Sequence, residues 1–248
     1  MYLREMATIA LSPLRIAFDH LGLRKPYETS IRFAHEFGLD HLSNYMLYNF
    51  HDSPPDLYER MMLNIELNEE LGIRIWSFPM RYQPTDRPDR TFVGEKWSRY
   101  ELRSLQLILQ ATGGVVSGEP DFFRHAFGSS VEEFRDLLLR PHHYIFNRDW
   151  FEIGPGRAEF EAFMKEFRSF SEPQRFELRE LLSSVSPRHF HTLPNETTDH
   201  QLRSVLGYYE PPPRDIEREM WDSPIKRSVG VGLGPEEIVE DAGLLEAV

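Results

Sequence analysis

HLSNYMLYNFHDSPPDLYERMMLNIELNEELGIRIWSFPMRYQP, residues 41–84, is the stretch that decides the fold. Residues 42–50 are mostly apolar and aromatic, without glycine or proline, which predicts a buried strand. The run Ser53-Pro54-Pro55-Asp56 predicts a capped helix start, and Gly72 suits the helix end. Residues 73–82 predict a second strand. Because a helix separates the two strands, we expect a parallel, right-handed crossover rather than a hairpin.

A similar unit precedes this stretch and helical patterns follow it. Residues 13–19 predict a strand and residues 25–37 a helix, so the order is β-α-β-α-β. The fold class predicted is α/β: a partial (βα) barrel of three parallel strands with a mostly helical C-terminal extension. The later helical patterns cover 95–112, 129–140, 154–170, 173–183 and 198–206. We expect a barrel-like part at 1–140, a helical extension at 141–209 and an acidic, flexible tail at 210–248.

Composition narrows the functional classes. The net charge of −12 argues against general affinity for nucleic acids or anionic membranes, although a local basic groove stays open. No apolar run reaches the roughly 18 residues of a membrane-spanning helix, and the start lacks the pattern of a signal peptide. We therefore expect a cytoplasmic protein. The chain has no cysteine, which excludes disulfides, a thiol nucleophile and thiolate-held metal clusters within it.

Polar side chains stand where each predicted strand ends. The carboxyl ends of parallel strands meet at one edge, where barrels and open sheets bind ligands. Asp19 could accept hydrogen bonds from a ligand hydroxyl or ammonium group, or it could cap the next turn. Arg81, followed by Tyr82, could bind a carboxylate or phosphate, or it could form an ion pair with Asp19 or Asp52. Asn49 could be a turn residue that satisfies nearby backbone groups.

Histidines offer a metal-site alternative. His20 and His51 lie at strand ends and, with Asp19 and Asp52, could imitate a barrel hydrolase. No HxH or HExxH spacing occurs in this third of the chain, so we do not favour metal binding. His142, His143, His189 and His191 are interpreted as surface or packing residues.

Two further segments have competing interpretations. Lys96-Trp97 and Arg99-Tyr100, with Arg103, form a basic, aromatic helix start. We favour a docking helix there over a nucleic-acid contact. The aromatic segment 142–150 could be an exposed interaction patch or part of the core, and we favour the core.

The segments PLRIAFDH, YMLYNFHDSPPDLYERM and IRIWSFPMRYQP, in this order, resemble the C-terminal half of the radical SAM barrel. The resemblance covers about residues 13–140 and implies the fourth, fifth and sixth strands of that barrel. It implies that Asp19, Asn49, Arg81 and Tyr82 contribute to binding S-adenosylmethionine, with Asn49 at the turn that contacts the ribose or adenine. The family's [4Fe–4S] cluster would have to come from a missing half or from a partner chain carrying CxxxCxxC.

Three functions remain open from the sequence. The first is the latter half of a radical SAM-type enzyme that is not competent alone. The second is a non-catalytic binding or scaffold protein with a degenerate barrel. The third is a metal-dependent hydrolase that uses histidine and aspartate.

Overall fold

A computed structural model describes residues 12–86 and 89–222. Its first part alternates strands and helices as the sequence predicts. These elements are β1 (Leu14–Arg15), α1 (Arg24–Glu36), β2 (His41–Tyr48), α2 (Pro54–Leu71) and β3 (Arg74–Arg81). The strands form a parallel sheet in the order β1-β2-β3. The prediction of an α/β fold with three parallel strands is confirmed. The sheet is open, so the barrel itself is not formed by these strands.

Helix α2 begins and ends where its sequence directs. The Ser53 hydroxyl accepts a hydrogen bond from the Asp56 amide, and the Asp56 carboxylate accepts one from the Ser53 amide at 2.7 Å. This capping box satisfies N–H groups that have no partner within the helix. Gly72 ends the helix at φ +66°, a conformation that costs glycine no steric strain.

Both crossover helices pack on the same face of the sheet. The hydroxyl of Tyr27, on α1, donates to Asn64 on α2 at 2.8 Å and accepts from Asn44 on β2 at 2.9 Å. Asn64 also donates to the Ser77 hydroxyl on β3 at 2.7 Å. One buried polar network thus joins two helices and two strands. It places α1 and α2 against the face that carries Asn44 and Ser77.

The opposite face of the sheet is aromatic and partly open to solvent. Tyr45 is paired with Phe78 across β2 and β3, and Leu47 with Met80. Tyr45 is 40% exposed and Met80 is 50% exposed, while Trp76 and Phe78 are half-buried. Large apolar side chains on a sheet face usually pack against another layer. This face therefore has the composition of an interior surface.

Near its C-terminal end, α2 is hydrogen-bonded to β3 through Asn68. Asn68 accepts a hydrogen bond from the Ile75 amide at 2.7 Å and donates to the Ile75 carbonyl at 3.3 Å. It also donates to the Gly118 carbonyl at 3.3 Å. A β-carbon on Gly118 would lie 2.5 Å from the Asn68 amide nitrogen, so glycine is needed for this close approach.

The rest of the described chain is mostly helical. Its α-helices are α3 (Arg99–Ala111), α4 (Pro120–Phe127), α5 (Val131–Leu139), α6 (His142–Phe146), α7 (Arg148–Glu152), α8 (Arg157–Arg168), α9 (Glu172–Ser184), α10 (His200–Leu206) and α11 (Arg214–Asp222). Helix α3 starts later than predicted because Ser98 caps it together with Glu101. Helix α4 had no counterpart among the predicted elements.

Two hydrophobic clusters fill the described chain. One lies between the sheet, α1, α2 and the following helices, and the other lies within the C-terminal helices. Segment 142–150, for which we favoured the core, folds as two short helices with Tyr144 and Ile145 buried. Within the tail predicted to be flexible, α11 is helical and places Met220 in the second cluster. Residues 223–248 lie outside the described residues.

Over the described ranges, no helix has both the length and the apolar character needed to cross a membrane.

Candidate functional site

The structure brings the four predicted site residues to the carboxyl ends of adjacent strands. Asp19 follows β1, Asn49 follows β2, and Arg81 and Tyr82 close β3. The Asp19 carboxylate accepts a hydrogen bond from the Leu47 amide at 3.2 Å, which joins the ends of β1 and β2. The Tyr82 amide donates to the Tyr48 carbonyl at 2.8 Å, which joins β2 and β3. All four residues therefore border one edge of the sheet.

Asn49 is fully buried and its side chain is occupied by backbone groups. Its amide nitrogen donates to the carbonyls of Tyr82 and Phe92 at 3.1 and 3.2 Å, and its oxygen accepts from the Gly94 amide at 2.7 Å. Asn49 also adopts φ +68°, a conformation that asparagine tolerates better than most residues. This geometry favours the turn-forming alternative over direct contact with a ligand.

Arg81 does not form the ion pair that the sequence offered as its alternative role. Its guanidinium donates to the Phe92 carbonyl at 2.9 Å, and no ion pair to Asp19 or Asp52 is present. Burial raises the pKa of Tyr48 to about 12, and the nearby charge of Arg81 opposes that rise. Arg81 is exposed, so donors of its guanidinium remain available at the sheet edge.

Tyr82 belongs to an aromatic cluster that we call the rim: Phe50, His51, Tyr82 and Phe92. The ring centroids of Phe50 and Tyr82 are 4.4 Å apart, and those of Tyr82 and Phe92 are 5.5 Å apart. The His51 ring lies 3.8 Å from that of Phe50. Phe50 is 40% exposed, so the rim presents an aromatic surface beside Arg81.

The loop that carries Phe92 is fixed at a close distance. A β-carbon on Gly94 would lie 2.9 Å from the Phe50 carbonyl oxygen, which only glycine avoids. Asn49 and Arg81 bind the backbone of the same loop. Asn49 and Arg81 thus hold the rim in place.

Beneath the strand ends lies a buried ion pair that the sequence analysis missed. Arg60, on α2, donates to the Asp52 carboxylate at 2.7 Å, and the Arg60 side chain is fully buried. The other oxygen of Asp52 accepts from the Phe50 amide and from the Trp97 indole. Burial raises the pKa of Asp52, and the charge of Arg60 opposes that rise.

Arg60 also gathers the ends of two strands. One guanidinium nitrogen donates to the carbonyls of Phe18, Asp19 and Leu47 at 2.9, 3.0 and 2.9 Å. A sequence signal for this role exists, because Arg60, Asn64 and Asn68 recur every four residues on the same side of α2 as Leu57. Polar residues in the buried stripe of a helix require partners. Arg60 finds them at the strand ends, Asn64 in Tyr27 and Ser77, and Asn68 in the backbone of Ile75.

The remaining sequence candidates lie elsewhere or find other partners. No group of three or more histidine, aspartate or glutamate side chains suited to a metal ion occurs in the described ranges. His142 stacks on Tyr100 with ring centroids 4.2 Å apart, and His143 packs beside Phe151. The indole of Trp97 is buried against Tyr48, whereas Lys96 and Arg99 are exposed.

The chain matches no protein-family model, and it has no significant match among curated proteins or solved structures.

Proposed function

We propose that this chain is the latter half of a radical SAM-type (βα) barrel and binds S-adenosylmethionine at its strand ends. The observation that carries the proposal is the sequential order β1-β2-β3 with α1 and α2 on one face. Doubly wound sheets have helices on both faces, whereas βα barrels have them only outside. The aromatic face with Tyr45, Trp76 and Phe78 then corresponds to a barrel interior.

The residues at the sheet edge suit S-adenosylmethionine in chemical type. An adenine ring can stack on the exposed part of Phe50 and Tyr82, and the methionine carboxylate can accept hydrogen bonds from Arg81. When bound, this cofactor supplies the radical chemistry of such enzymes. The contribution of this chain is to bind and orient the ligand. Asn49 and Gly94 act indirectly, by fixing the loop beneath it.

The residues of this chain do not fit the family's iron–sulfur cluster. Its ligands are cysteine thiolates, and the chain has no cysteine. We therefore assign the [4Fe–4S] cluster to a partner chain or to a missing half. The proposal makes this chain one half of an active site rather than a complete enzyme.

The first experiment is a calorimetric titration of the purified chain with S-adenosylmethionine and, separately, with adenosine. We expect Arg81→Gln to weaken S-adenosylmethionine binding about tenfold and to leave adenosine binding unchanged, because adenosine lacks the carboxylate. Phe50→Ala is expected to weaken the binding of both ligands, since both carry the adenine ring. Arg74→Gln, at the opposite end of the same strand, is the matched control.

Two outcomes would contradict the ligand assignment. One is that neither compound binds to the folded chain at millimolar concentration. The other is that Arg81→Gln and Arg74→Gln weaken binding equally. The partner assignment is tested by anaerobic co-expression with a candidate chain carrying CxxxCxxC. A co-purifying pair without iron and without S-adenosylmethionine binding would reject it.

A non-catalytic scaffold is the second candidate, and the bonding of two site residues favours it. Asn49 uses all its hydrogen-bonding groups on backbone partners, and Asp19 accepts from the Leu47 amide. These residues hold the sheet edge together without any ligand. The titrations separate the candidates, because a scaffold predicts no binding of either compound.

A further inference from the structure

Arg140 lies at the C-terminal end of α5 with part of its guanidinium unused. Its Nη1 donates to Glu152 at 3.3 Å. Neither its buried Nε nor its Nη2 has a hydrogen-bond partner in the described part of the chain. Nε and Nη2 form the edge of an arginine that binds an oxyanion through two parallel hydrogen bonds. A buried donor without an acceptor is unfavourable, so this edge suits a ligand that supplies oxygen atoms.

The end of α5 does not use the Arg140 side chain as its cap. The Leu139 carbonyl accepts a hydrogen bond from the Tyr209 hydroxyl. The Arg140 carbonyl accepts one from the Tyr100 hydroxyl at 2.7 Å. Two tyrosines thus satisfy carbonyls that a basic side chain often binds at a helix end. The guanidinium of Arg140 lies instead 5.3 Å from the centroid of the Phe160 ring, and so faces α8.

Helix α8 brings a second arginine toward the same place. Phe160, Met164 and Arg168 follow one another at intervals of four, so they form one row along α8. Long side chains on a helix point toward its N-terminus, which directs Arg168 toward Phe160. Burial lowers the pKa of Arg140, and the nearby charge of Arg168 adds to that change. Arg168 is exposed, and no described residue forms a hydrogen bond or an ion pair with it.

The carboxylates around Arg140 are already matched by other arginines. Glu152 is shared between Arg140 and Arg148, whose Nε lies 3.8 Å from it. Asp136, one turn before Arg140 on α5, is paired with Arg175 of α9. Together with the arginine of α8, these groups carry a net positive charge in a chain whose total is −12. The attraction for an anion is therefore local to this cluster.

We propose that Arg140 and Arg168 bind a phosphate group between the end of α5 and helix α8. The Nε–Nη2 edge of Arg140 donates to two phosphate oxygens, and Arg168 contacts the group from the solvent side. A phosphate group carries roughly 1.5 to 2 negative charges at pH 7, which two guanidinium groups balance. The Arg140 side chain is 17% exposed, which puts the site at the surface. This inference does not rest on the proposed function, because it uses none of the residues at the sheet edge.

Calorimetric titration of the full chain with inorganic phosphate, at constant ionic strength, tests the proposal. We expect one site per chain with a dissociation constant on the order of a millimolar, because only a few charge-assisted hydrogen bonds supply the affinity. Arg168→Gln should weaken binding about tenfold. Arg157→Gln, at the opposite end of α8 and paired with Glu161, is the matched control and should bind phosphate as the parent chain does.

A second variant separates the geometry of the guanidinium from its charge. Arg140→Lys keeps the positive charge but offers no edge of two nitrogens, so phosphate binding should be lost while circular dichroism stays that of the parent. Phenyl phosphate identifies the source of the group: tighter binding than inorganic phosphate assigns the site to a phosphorylated organic ligand, and weaker binding assigns it to free phosphate.

Three results would overturn the proposal. The first is a parent chain that binds no phosphate at about 20 mM. The second is an equal loss of binding in Arg168→Gln and Arg157→Gln, which would show that only the total charge matters. The third is Arg140→Lys binding phosphate as tightly as the parent.

Discussion

At the residue scale, Arg60 connects helix α2 to the ends of two strands and to Asp52. Its fully buried guanidinium donates to three strand-end carbonyls and forms a buried ion pair with Asp52. Burying such a charge is costly unless every donor finds an acceptor. Arginine fits because its planar group directs five N–H donors in fixed directions. Lysine, with a compact ammonium, could not reach the same set of partners.

We predict that Arg60→Met lowers the free energy of unfolding by roughly 3–5 kcal/mol, because it leaves Asp52 buried without its partner. Urea unfolding followed by circular dichroism measures this change. Arg32→Met is the matched control: it breaks a solvent-exposed pair with Glu70 and should lower the free energy of unfolding far less than Arg60→Met does. Equal losses in the two variants would refute the central role of Arg60.

At the scale of elements, the loop 91–94 depends on the turn at Asn49. The side chain supplies three hydrogen bonds, and the backbone takes a positive φ that β-carbon-bearing residues resist. Asn49→Gly should therefore lower the free energy of unfolding by about 2–3 kcal/mol, because the side-chain hydrogen bonds are lost. Asn49→Ala should lower it by about 1 kcal/mol more, because the positive φ strains alanine. Thermal or urea unfolding of both variants measures which of them is the more stable.

At position 49 we expect glycine to be more stable than alanine, which is the reverse of their order in a helix. At Arg103, in the exposed part of α3, alanine should be more stabilising than glycine by about 1 kcal/mol. If alanine were also preferred at position 49, the positive φ would not be a property of the folded chain.

The strands and helices of the α/β part could be predicted from sequence, whereas α4, α6, α7 and the contacts between elements could not. The capping box of α2, its terminal Gly72 and the apolar runs on either side are local signals, and all three appear in the structure. The partners of Asn49 lie 33 to 45 residues away in the sequence. The most distant partner of Arg60 lies 42 residues away. Such partners depend on strand register, which local patterns do not specify. Hence the sequence predicted that the candidate residues would meet at the carboxyl ends of the strands, but it did not predict which of them are supporting and which are exposed.

At the scale of the whole molecule, stability depends on pH through the helical core. Burial lowers the pKa of His142 and of His143 to about 4, compared with about 6.5 in an unfolded chain. The folded state thus favours neutral imidazoles. Their contribution to stability is complete above pH 6.5 and is lost as the pH falls toward 4.

As the pH falls from 7 to 5, we expect each of these two histidines to lower the free energy of unfolding by roughly 1–2 kcal/mol. Replacing both, as His142→Phe with His143→Phe, should flatten the pH dependence of the urea midpoint while retaining the ring packed on Tyr100. His191→Phe, at an exposed position, is the control and should leave the slope as in the parent chain. An unchanged slope in the double variant would show that other groups govern acid unfolding.

The spacing of Arg60, Asn64 and Asn68 along α2 has a mechanical consequence. Each residue fastens the helix to the sheet at a different height, so α2 can neither slide along its axis nor roll about it without breaking several bonds at once. Asn49 and Arg81 tie the 91–94 segment to the same strand ends, so that segment cannot shift independently of the sheet. A ligand at the strand ends would therefore meet a rigid surface that has little freedom to adapt its shape.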